Sequence, residues 1–442
     1  MNNSTLVINK PDARYLVKAT EPVLIADAVV GKFGTVRSES GLLYTVVPRY
    51  SPKQVDVDVV RTDVKLLAND LYPGQTARLN AANAIENAFQ LADTQATGRS
   101  SAVTQAFLDS AAKLQGETSV TALGASLDSF SGQIHASSQA LTFQQSNAIN
   151  RALSDRVDVL RHHAQQSGMW ASVTGGSGEI AERGFAKANT HHFGGQLGLD
   201  HRLKPDTILG LALTFSEASA RFDRHGGKSD STSAGLSLYG RQGGDLGSYV
   251  AGRLGHQWIS TDSRRDVVVR DDSTRVKADR TDRMTSIYGE IGYVQAIDTL
   301  QATPFIGVSY DVLKRGAIAE SGSPLALKGN KKSYDQTAAT LGLRLQSQPL
   351  SWAGVESVVT GYGAYRYGNA ARLNYTAAFS GAPDARFAVE GIGLQRHTGL
   401  LGLGLSTAAS DRLSWNLNYD MQVGRGGVNN NVFSAGLRYA YN

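Results

Sequence analysis

Histidines are the residues that first suggest chemistry in this sequence. The chain has nine of them, and four form two adjacent pairs, His162-His163 and His191-His192. Adjacent histidines point to opposite faces of a strand and diverge on a helix, so neither pair is spaced to bind one metal ion. No HxxxH or HExxH motif places two histidines on one helix face. The sequence therefore predicts no metal site and no cofactor.

The other common catalytic and ligand-binding motifs are also missing from the sequence. There is no GxSxG elbow, and the glycine-rich segments GYGAYR at Gly361 and GLGLST at Gly402 lack the spacing of a phosphate-binding loop. The formal charge of +5 is small for 442 residues, and basic residues are scattered among acidic ones, which argues against a nucleic-acid partner. The absence of cysteine excludes disulfides and cysteine-ligated metals. These observations favour a protein that is not an enzyme.

Six charged residues share a different pattern, since each lies in a segment of alternating apolar and small or polar residues. Each one is on the face opposite the leucines, isoleucines and aromatic residues; they are Asp200, Glu290, Asp311, Arg344, Asp420 and Arg438. A strand that is apolar on one face and small or charged on the other is typical of a wall between lipid and water. We therefore expect these six side chains to line a hydrated lumen.

Such segments follow one another from Met169 to the end of the chain. Tight connections near residues 204, 243, 296, 347 and 408 alternate with longer polar ones, which include 176–188, 223–228, 261–283, 319–332 and 369–390. This alternation predicts an all-β membrane barrel of about 12 antiparallel strands. A mean hydropathy of −0.23 is normally typical of a soluble protein, but it does not exclude a membrane barrel, because only every second residue of each strand meets lipid. Aromatic residues near strand ends suit the lipid headgroups: Trp170, Trp258, Trp352, Tyr249, Tyr310 and Tyr439. For any one of them taken alone, a buried core position is the favoured alternative.

A long helix is predicted before the barrel, over residues 127–166. Its second half has one apolar stripe, formed by Ile149, Leu153, Val157 and Leu160. Around that stripe lie Arg151, Asp155, Arg156, Asp158 and Arg161, of which Arg151 and Asp155 are one turn apart and can pair. A helix with such even charge suits either a protein surface or the inside of a hydrated pore.

The N-terminal part has two compositions. Residues 1–66 read as short strands rich in β-branched residues, and residues 67–126 contain two helical segments, 76–96 and 101–114. A β-hairpin cap and a small helical domain of independent role are the alternatives. The first residues, MNNSTLVINK, do not read as a secretory signal, so an exported chain is expected to be the C-terminal part of a longer precursor.

The last strand carries the first of two resemblances. Residues 432–441 have the order polar, x, Gly, x, x, aromatic, x, aromatic, with Ser434, Gly436, Tyr439 and Tyr441 at the marked positions. This order resembles the C-terminal signal by which bacterial outer-membrane barrels are recognised for assembly. Asn442 follows where that signal usually ends on its aromatic residue. An amphipathic edge strand of a soluble sandwich is the alternative for this segment alone.

The second resemblance lies at the start of the barrel. GQIHAS at 132–137, then helical residues as far as LSDRVDVLR, then MWAS at 169–172 resemble the passenger-to-barrel junction of classical autotransporters, the type V secretion family. The resemblance implies an α-helix threaded through the barrel lumen and four regions. These are the end of a passenger β-helical stalk (1–66), a helical linker (67–126), the lumen-threading helix (127–166) and the transmembrane β-barrel (167–442). The segment QQSNAINRALS replaces the family's usual acidic-serine-arginine run.

The same resemblance implies a function and partners. The chain would be a monomeric translocator that anchors in the bacterial outer membrane and exports its N-terminal passenger to the cell surface. Its partners would be outer-membrane lipid, the barrel assembly machinery, periplasmic chaperones and its own passenger.

Two further functions stay open at this stage. Some autotransporters cut themselves when an asparagine side chain attacks its own backbone carbonyl, and Asn147-Ala148 is the candidate bond, with Asn150 nearby. A structural role for these asparagines is the favoured interpretation. The alternative functions are an outer-membrane barrel with self-cleaving or protease-associated activity, and a porin or adhesin barrel.

Overall fold

The computed structural model describes residues 3–9, 14–39, 41–96, 103–159, 167–352, 354–369, 372–425 and 428–441. The chain begins with five short strands: β1 (Thr5–Ile8), β2 (Lys18–Ile25), β3 (Thr35–Ser38), β4 (Tyr44–Tyr50) and β5 (Gln54–Arg61). β1 and β3 pair in parallel, whereas β2, β5 and β4 form an antiparallel sheet in that order. Alternating valines of β5 turn one face of this sheet inward, where Val57 and Val59 pack with Tyr44.

Four helices follow: α1 (Val64–Leu71), α2 (Thr76–Ala96), α3 (Gln105–Gln115) and α4 (Val120–Phe130). Short polar side chains set three of their starts, since Asp63, Thr104 and Ser119 each accept a hydrogen bond from a backbone N–H of the first turn. We call α1–α4 the helical module.

A closed barrel forms the rest of the molecule. In the part of the chain that the structure describes, twelve long antiparallel strands make the ring: β6 (Ser167–Ile180), β7 (Ala188–Lys204), β8 (Thr207–Phe222), β9 (Gly227–Gln242), β10 (Gly247–Val269), β11 (Asp272–Ile297), β12 (Leu300–Arg315), β15 (Lys332–Ser347), β17 (Val355–Gly368), β20 (His397–Ala408), β21 (Leu413–Gly424) and β22 (Asn429–Tyr441). β22 closes the ring on β6, with Tyr441 opposite Ser167. The predicted barrel of about twelve antiparallel strands is confirmed.

The connections divide the barrel into two ends. We call the end with the connections at 205–206, 243–246, 298–299 and 409–412 the turn end; it also has the short strand β16 (Leu350–Trp352). The opposite end, which we call the loop end, has longer connections that contain β13 (Ile318–Ala319), β14 (Leu327–Gly329), β18 (Asn374–Phe379) and β19 (Ala382–Glu390), paired as one sheet. Residues 261–283, expected as a loop, are instead a continuation of the β10–β11 hairpin, because their alternating pattern persists.

The outer face of the barrel is apolar around its middle. Leucine, isoleucine and aromatic side chains point outward and are exposed, including Leu197, Leu211, Leu238, Leu254, Ile287, Leu343, Leu403 and Leu437. Trp258, Tyr310 and Tyr439 are also exposed there, but Trp170 and Tyr249 are buried on the inner face. These two therefore take the buried position that was the alternative to the headgroups. Among the described residues, no helix is long and apolar enough to cross a membrane.

Helix α5 (Gln133–Val159) lies inside the barrel and runs from the loop end toward the turn end. Gly132 separates it from α4 and adopts a positive φ of 62°. A Cβ at this position would lie 2.2 Å from Leu327 Cδ1, so the break needs glycine for its backbone angle and for space. The predicted lumen helix is confirmed as an element, and the chain passes through the barrel at this point.

The helical module packs on the loop end through one shared hydrophobic core. Phe89, Phe107 and Phe130 of the module are buried with Phe379 and Phe387 of the β18–β19 hairpin. Inward-facing residues of the β10–β11 tip join the same core, namely Val267, Val269, Val276 and Ala278. The module and the loops therefore fold around a common interior.

Candidate functional site

The lumen of the barrel is the candidate site, because most of the predicted charged residues meet there. The structure places Asp200, Glu290, Asp311, Arg344 and Arg438 on the inner face, all buried, and Asp420 on the same face partly buried. They come from six different strands, and each strand alternates inward polar with outward apolar residues. The period-two pattern is thus enough to aim every one of them inward.

Glu290 on β11 and Arg344 on β15 form a bidentate ion pair on the inner face, over the strand β12 that lies between them. The Arg344 Nη1–Glu290 Oε1 and Nη2–Oε2 distances are 2.7 and 2.9 Å. Tyr249 Oη donates to Oε1 at 2.7 Å and Tyr288 Oη donates to Oε2 at 2.5 Å, so both carboxylate oxygens are saturated. Such a pair is fixed in position and braces the wall from inside.

Arg156 connects the end of α5 to the wall near the turn end. Its guanidinium pairs with the Asp200 carboxylate, whose other oxygen accepts a hydrogen bond from Tyr239 Oη. Trp170 Nε1 donates to Tyr239 Oη at 2.8 Å, and the Arg156 guanidinium lies 5.5 Å from the Trp170 ring centroid. A predicted helix cation and a predicted wall carboxylate are therefore partners. Sequence reasoning named Trp170 only as a strand-end aromatic and missed Tyr239, although both have the inward parity of their strands.

Two more contacts hold the middle of the helix. Arg151 Nε lies 3.6 Å from Asp420 Oδ1, and the Arg151 guanidinium stacks 3.4 Å from the Tyr362 ring centroid. One turn earlier, Ser146 Oγ donates to Asp311 Oδ1 at 3.1 Å and shares a hydrogen bond of 2.7 Å with Ser286. The wall thus contacts the helix at three levels. The side chains of Asp155 and Asp158, and all of Arg161, lie outside the described part of the chain.

Glycines on the inner face make room for the lumen aromatics. A Cβ on Gly210 would lie 2.2 Å from Tyr239 Cζ, and a Cβ on Gly402 would lie 2.0 Å from Tyr362 Cε1. Neither distance is sterically allowed. Each of these tyrosines holds a carboxylate that contacts α5, so the glycines are needed for the helix contacts as well as for the wall.

Asn147 and Ala148 line a cavity of about 90 Å³ between α5 and the wall. Arg151, Arg366 and Asp420 line the same cavity, which is large enough for a few water molecules. The asparagine of the candidate self-cleavage bond therefore lines a cavity that has one carboxylate, Asp420, in its lining. Among the described residues, no group of three His, Asp or Glu side chains is arranged to hold a metal ion.

A buried polar cluster closes the lumen at the loop end. Glu320 accepts hydrogen bonds from Arg265 Nε at 2.8 Å and Nη2 at 2.6 Å, from His135 Nε2 at 2.8 Å and from the Leu327 backbone N–H at 2.7 Å. Arg265 also donates to the Ser129 carbonyl at the end of α4. We call these residues the outer latch, because they join β10, a long loop, the helical module and the first turn of α5.

Electrostatics fix the charge of the outer latch. Burial raises the pKa of the Glu320 carboxyl, but the Arg265 guanidinium and the hydrogen bond from His135 outweigh it and hold this pKa at about 2. Glu320 is therefore ionised at any physiological pH. Sequence reasoning missed the cluster, since Glu320 lies in a polar loop with no motif around it; only His135, within GQIHAS, lay in a segment already singled out.

Comparison with known proteins gives one family and several relatives. The sequence matches the autotransporter β-domain family over residues 169–420. It is 27% identical over 341 residues to an extracellular serine protease of Serratia marcescens, covering 74% of this chain and 32% of that protein. It is 28% identical over 138 residues to the IgA-specific serine endopeptidase autotransporter of Neisseria gonorrhoeae, covering 28% of this chain and 9% of that protein.

Among solved structures, the translocator domain of autotransporter NalP from Neisseria meningitidis superposes with a TM-score of 0.57 at 17% identity. The match covers 69% of this chain and 97% of that one, and it shows a common fold. The chain spans about a third of the length of the Serratia proteins it matches, 32% and 30%.

Proposed function

The chain belongs to the autotransporter β-domain family, and from this premise we propose that it carries its N-terminal passenger through its own lumen to the cell surface. Membership makes it an outer-membrane translocator domain. The observation that carries the proposal is α5, which fills the lumen and joins the helical module at the loop end to β6 at the turn end. A chain held in this way has its N-terminal part at one end of the barrel and the start of its first barrel strand, β6, at the other end.

The proposed division of the chain follows its elements. Residues 1–66 end a passenger stalk, 67–126 are a helical linker and 167–442 form the barrel. Within the predicted lumen segment, 127–166, we assign the threading to α5, since 127–130 end α4 in the core at the loop end. The parallel pairing of β1 with β3, about thirty residues apart in the chain, supports the stalk assignment, because successive coils of a β-helix pair in this way. The linker assignment is supported by the docking of the helical module on the loops.

The proposed partners follow from the family. Outer-membrane lipid would cover the apolar outer face, and the assembly machinery would read Ser434, Gly436, Tyr439 and Tyr441 on β22 after periplasmic chaperones deliver the chain. Tyr439 and Tyr441 point outward on the strand that closes the ring, which supports a role in insertion. We propose a monomer with no nucleic-acid partner and no cofactor.

Catalysis is not part of the proposed function. The names of the Serratia and gonococcal relatives state protease activities of those proteins, and we assign none to this chain. Self-cleavage at Asn147-Ala148 is the one enzymatic alternative that an observation favours, because Asn147 and Asp420 line the same cavity. Mass analysis of the purified barrel separates the two functions: an intact α5 is expected, whereas a fragment that begins at Ala148 would establish cleavage.

Membrane insertion and surface exposure test the translocator function together. Outer-membrane fractions should contain a chain whose gel migration shifts on heating, and protease added to intact cells should remove the helical module while leaving the barrel. The same protease on cells with permeabilised outer membranes serves as the control. A soluble chain without a migration shift, or a module protected in intact cells and cut only after permeabilisation, would contradict the proposal.

A further inference from the structure

A row of four basic residues crosses the outer face of the barrel near the loop end. In the strand register Arg221 on β8 lies opposite Lys228 on β9, Lys228 opposite Arg264 on β10, and Arg264 opposite Lys277 on β11. Neighbouring strands are about 4.8 Å apart, so the row is roughly 15 Å long. We call these four residues the basic row.

Without a bound anion, the basic row lowers the stability of the fold. Like charges directly opposite one another across strands are destabilising. Lys228 is relieved by an ion pair with Asp230 at 2.7 Å. The side chains of Arg221, Arg264 and Lys277 are exposed and have no described carboxylate within ion-pair distance. Three cations on one exposed face therefore lack an anion from the described chain.

The height of the basic row above the apolar band narrows the choice of anion. Phe215 and Trp258 mark the edge of the band, and Arg264 is six residues beyond Trp258 on the same strand. Six residues span about 20 Å along a strand, or roughly 15 Å of height at a barrel tilt of about 40°. The polar layer of a phospholipid leaflet is only about 5–8 Å thick. The phosphate of a phospholipid thus lies well below the row.

An acidic row lies between the apolar band and the basic row. Asp230, Asp262 and Asp279 are directly opposite one another on β9, β10 and β11, two residues below the basic row on each strand. Asp262 is four residues beyond Trp258, which is roughly 10 Å of height at the same tilt, so the acidic row also stands above the polar layer of a phospholipid leaflet. Its charge repels anions that reach only its own height, so the two rows together favour an anionic headgroup that extends past the acidic row to the basic row.

We propose that the basic row binds the phosphorylated and acidic saccharide headgroup of lipopolysaccharide in the outer leaflet. This headgroup is dense in anions and reaches far above the acyl chains, as the position of the row requires. Binding neutralises the repulsion within the row and holds the β10–β11 hairpin against the leaflet. The inference rests on the proposed function, since it needs the loop end to face the cell exterior.

The test measures binding of purified lipopolysaccharide to the full chain reconstituted in phosphatidylcholine nanodiscs. The variant R221Q/K228Q/R264Q/K277Q should bind at least tenfold more weakly than the unaltered chain. The matched control K53Q/K65Q/K328Q/R386Q removes four exposed cations elsewhere and should leave the affinity unchanged. Raising the salt concentration from about 0.1 to 1 M should weaken the binding of the unaltered chain, because exposed charges are screened. The variant D230N/D262N/D279N should bind more tightly.

Three results would overturn the inference. The first is that the quadruple variant binds lipopolysaccharide as tightly as the unaltered chain. The second is that the control variant loses as much affinity as the quadruple variant. The third is that the unaltered chain binds phosphatidylglycerol nanodiscs or inorganic phosphate as tightly as lipopolysaccharide. Heat-modifiable migration checks that each barrel is folded. If the quadruple variant does not fold, R264Q alone replaces it, and its affinity for lipopolysaccharide is expected to fall two- to threefold. Failure of the unaltered chain to insert in membranes would contradict the translocator function, whereas insertion without lipopolysaccharide binding contradicts only this inference.

Discussion

At the residue scale, three buried carboxylates among the described residues are tolerated because each has an arginine partner. Glu290 meets Arg344, Asp200 meets Arg156, and Glu320 meets Arg265, and tyrosine or histidine donors fill the remaining acceptor positions. Removing one member of such a pair leaves the other charge buried and unsatisfied. These pairs therefore fix the position of the helix and loops more than they add to stability.

The first prediction concerns the outer latch. Glu320→Ala should lower the stability of the loop end by about 3–5 kcal/mol, because it leaves Arg265 buried without its anion. The double variant Arg265→Met/Glu320→Leu should lose less stability than Glu320→Ala, since neither buried charge remains. The measurement is the midpoint temperature of the heat-modifiable transition together with protease access to the helical module.

A matched control exists in the same hairpin. Asp266 pairs with Arg275 at 2.9 Å, and both side chains are exposed. Asp266→Ala should change the midpoint temperature little, because exposed pairs contribute about 0–1 kcal/mol. An equal loss in the Asp266 and Glu320 variants would contradict the importance of the latch.

The second prediction concerns pH. The pKa of Glu320 is depressed from an ordinary 4.5 to about 2, so its contribution, on the order of 3 kcal/mol, is complete above about pH 4.5. It is lost as the pH falls through the folded pKa near 2. Amide hydrogen exchange at the first turn of α5 should therefore accelerate relative to the intrinsic rate between pH 4.5 and 2. Glu320→Gln should remove this pH dependence, and an unchanged profile in that variant would assign the effect to another group.

At the element scale, α5 combines two roles. Its residues contact the wall at Ser146, Arg151 and Arg156, so the helix supports the barrel from inside and also blocks it. Its first turn is fixed by the outer latch. The helix therefore behaves as a plug held at several levels, with cavities between it and the wall.

The third prediction tests this plug. Deletion of residues 127–166 should raise the single-channel conductance of the barrel in planar bilayers several-fold, because the lumen then fills with water. Arg156→Met should give a smaller rise in conductance, since it releases only the C-terminal part of α5, which lies near the turn end. The outward-facing Leu211→Ala serves as a control that leaves the lumen unchanged. Equal conductance with and without the helix would contradict the plug.

At the scale of the whole molecule, the barrel and the N-terminal part share a hydrophobic core at the loop end. The module has no separate interior from the β18–β19 hairpin, because Phe107 packs on Phe379 and Phe379 on Phe387. The N-terminal part thus completes its folding only where the loops are assembled. The ring of the barrel is closed separately, by the pairing of β22 with β6.

The fourth prediction concerns that closure. Tyr441→Ser should reduce the heat-modifiable fraction of the chain in outer membranes at least several-fold, because it removes an outward aromatic from the closing strand. Deletion of Asn442 should leave insertion unchanged or improve it. Tyr310→Ser, an exposed tyrosine in the middle of the ring, is the control and should have a smaller effect. Normal insertion of the Tyr441 variant would exclude this residue from the assembly signal.

The sequence by itself determined the faces of the strands, their number and the helix that precedes them. Successive side chains of a strand point to opposite faces, and in this barrel one face meets lipid and the other meets water. Apolar and polar residues therefore alternate, so Asp200 or Leu211 can be assigned to a face without coordinates. The tight turns between consecutive strands then indicate that neighbours in the sequence are neighbours in the barrel.

Only the tertiary structure decided which inward residues meet. Arg344 and Glu290 are 54 residues apart and His135 and Glu320 are 185 apart, and their pairing depends on strand register and on how the ring closes. The inward positions of Trp170 and Tyr249 depend likewise on glycines of neighbouring strands, which leave room for large rings. Local pattern fixes a side chain's direction, but its partner is fixed by cross-strand neighbours that lie far away in the sequence.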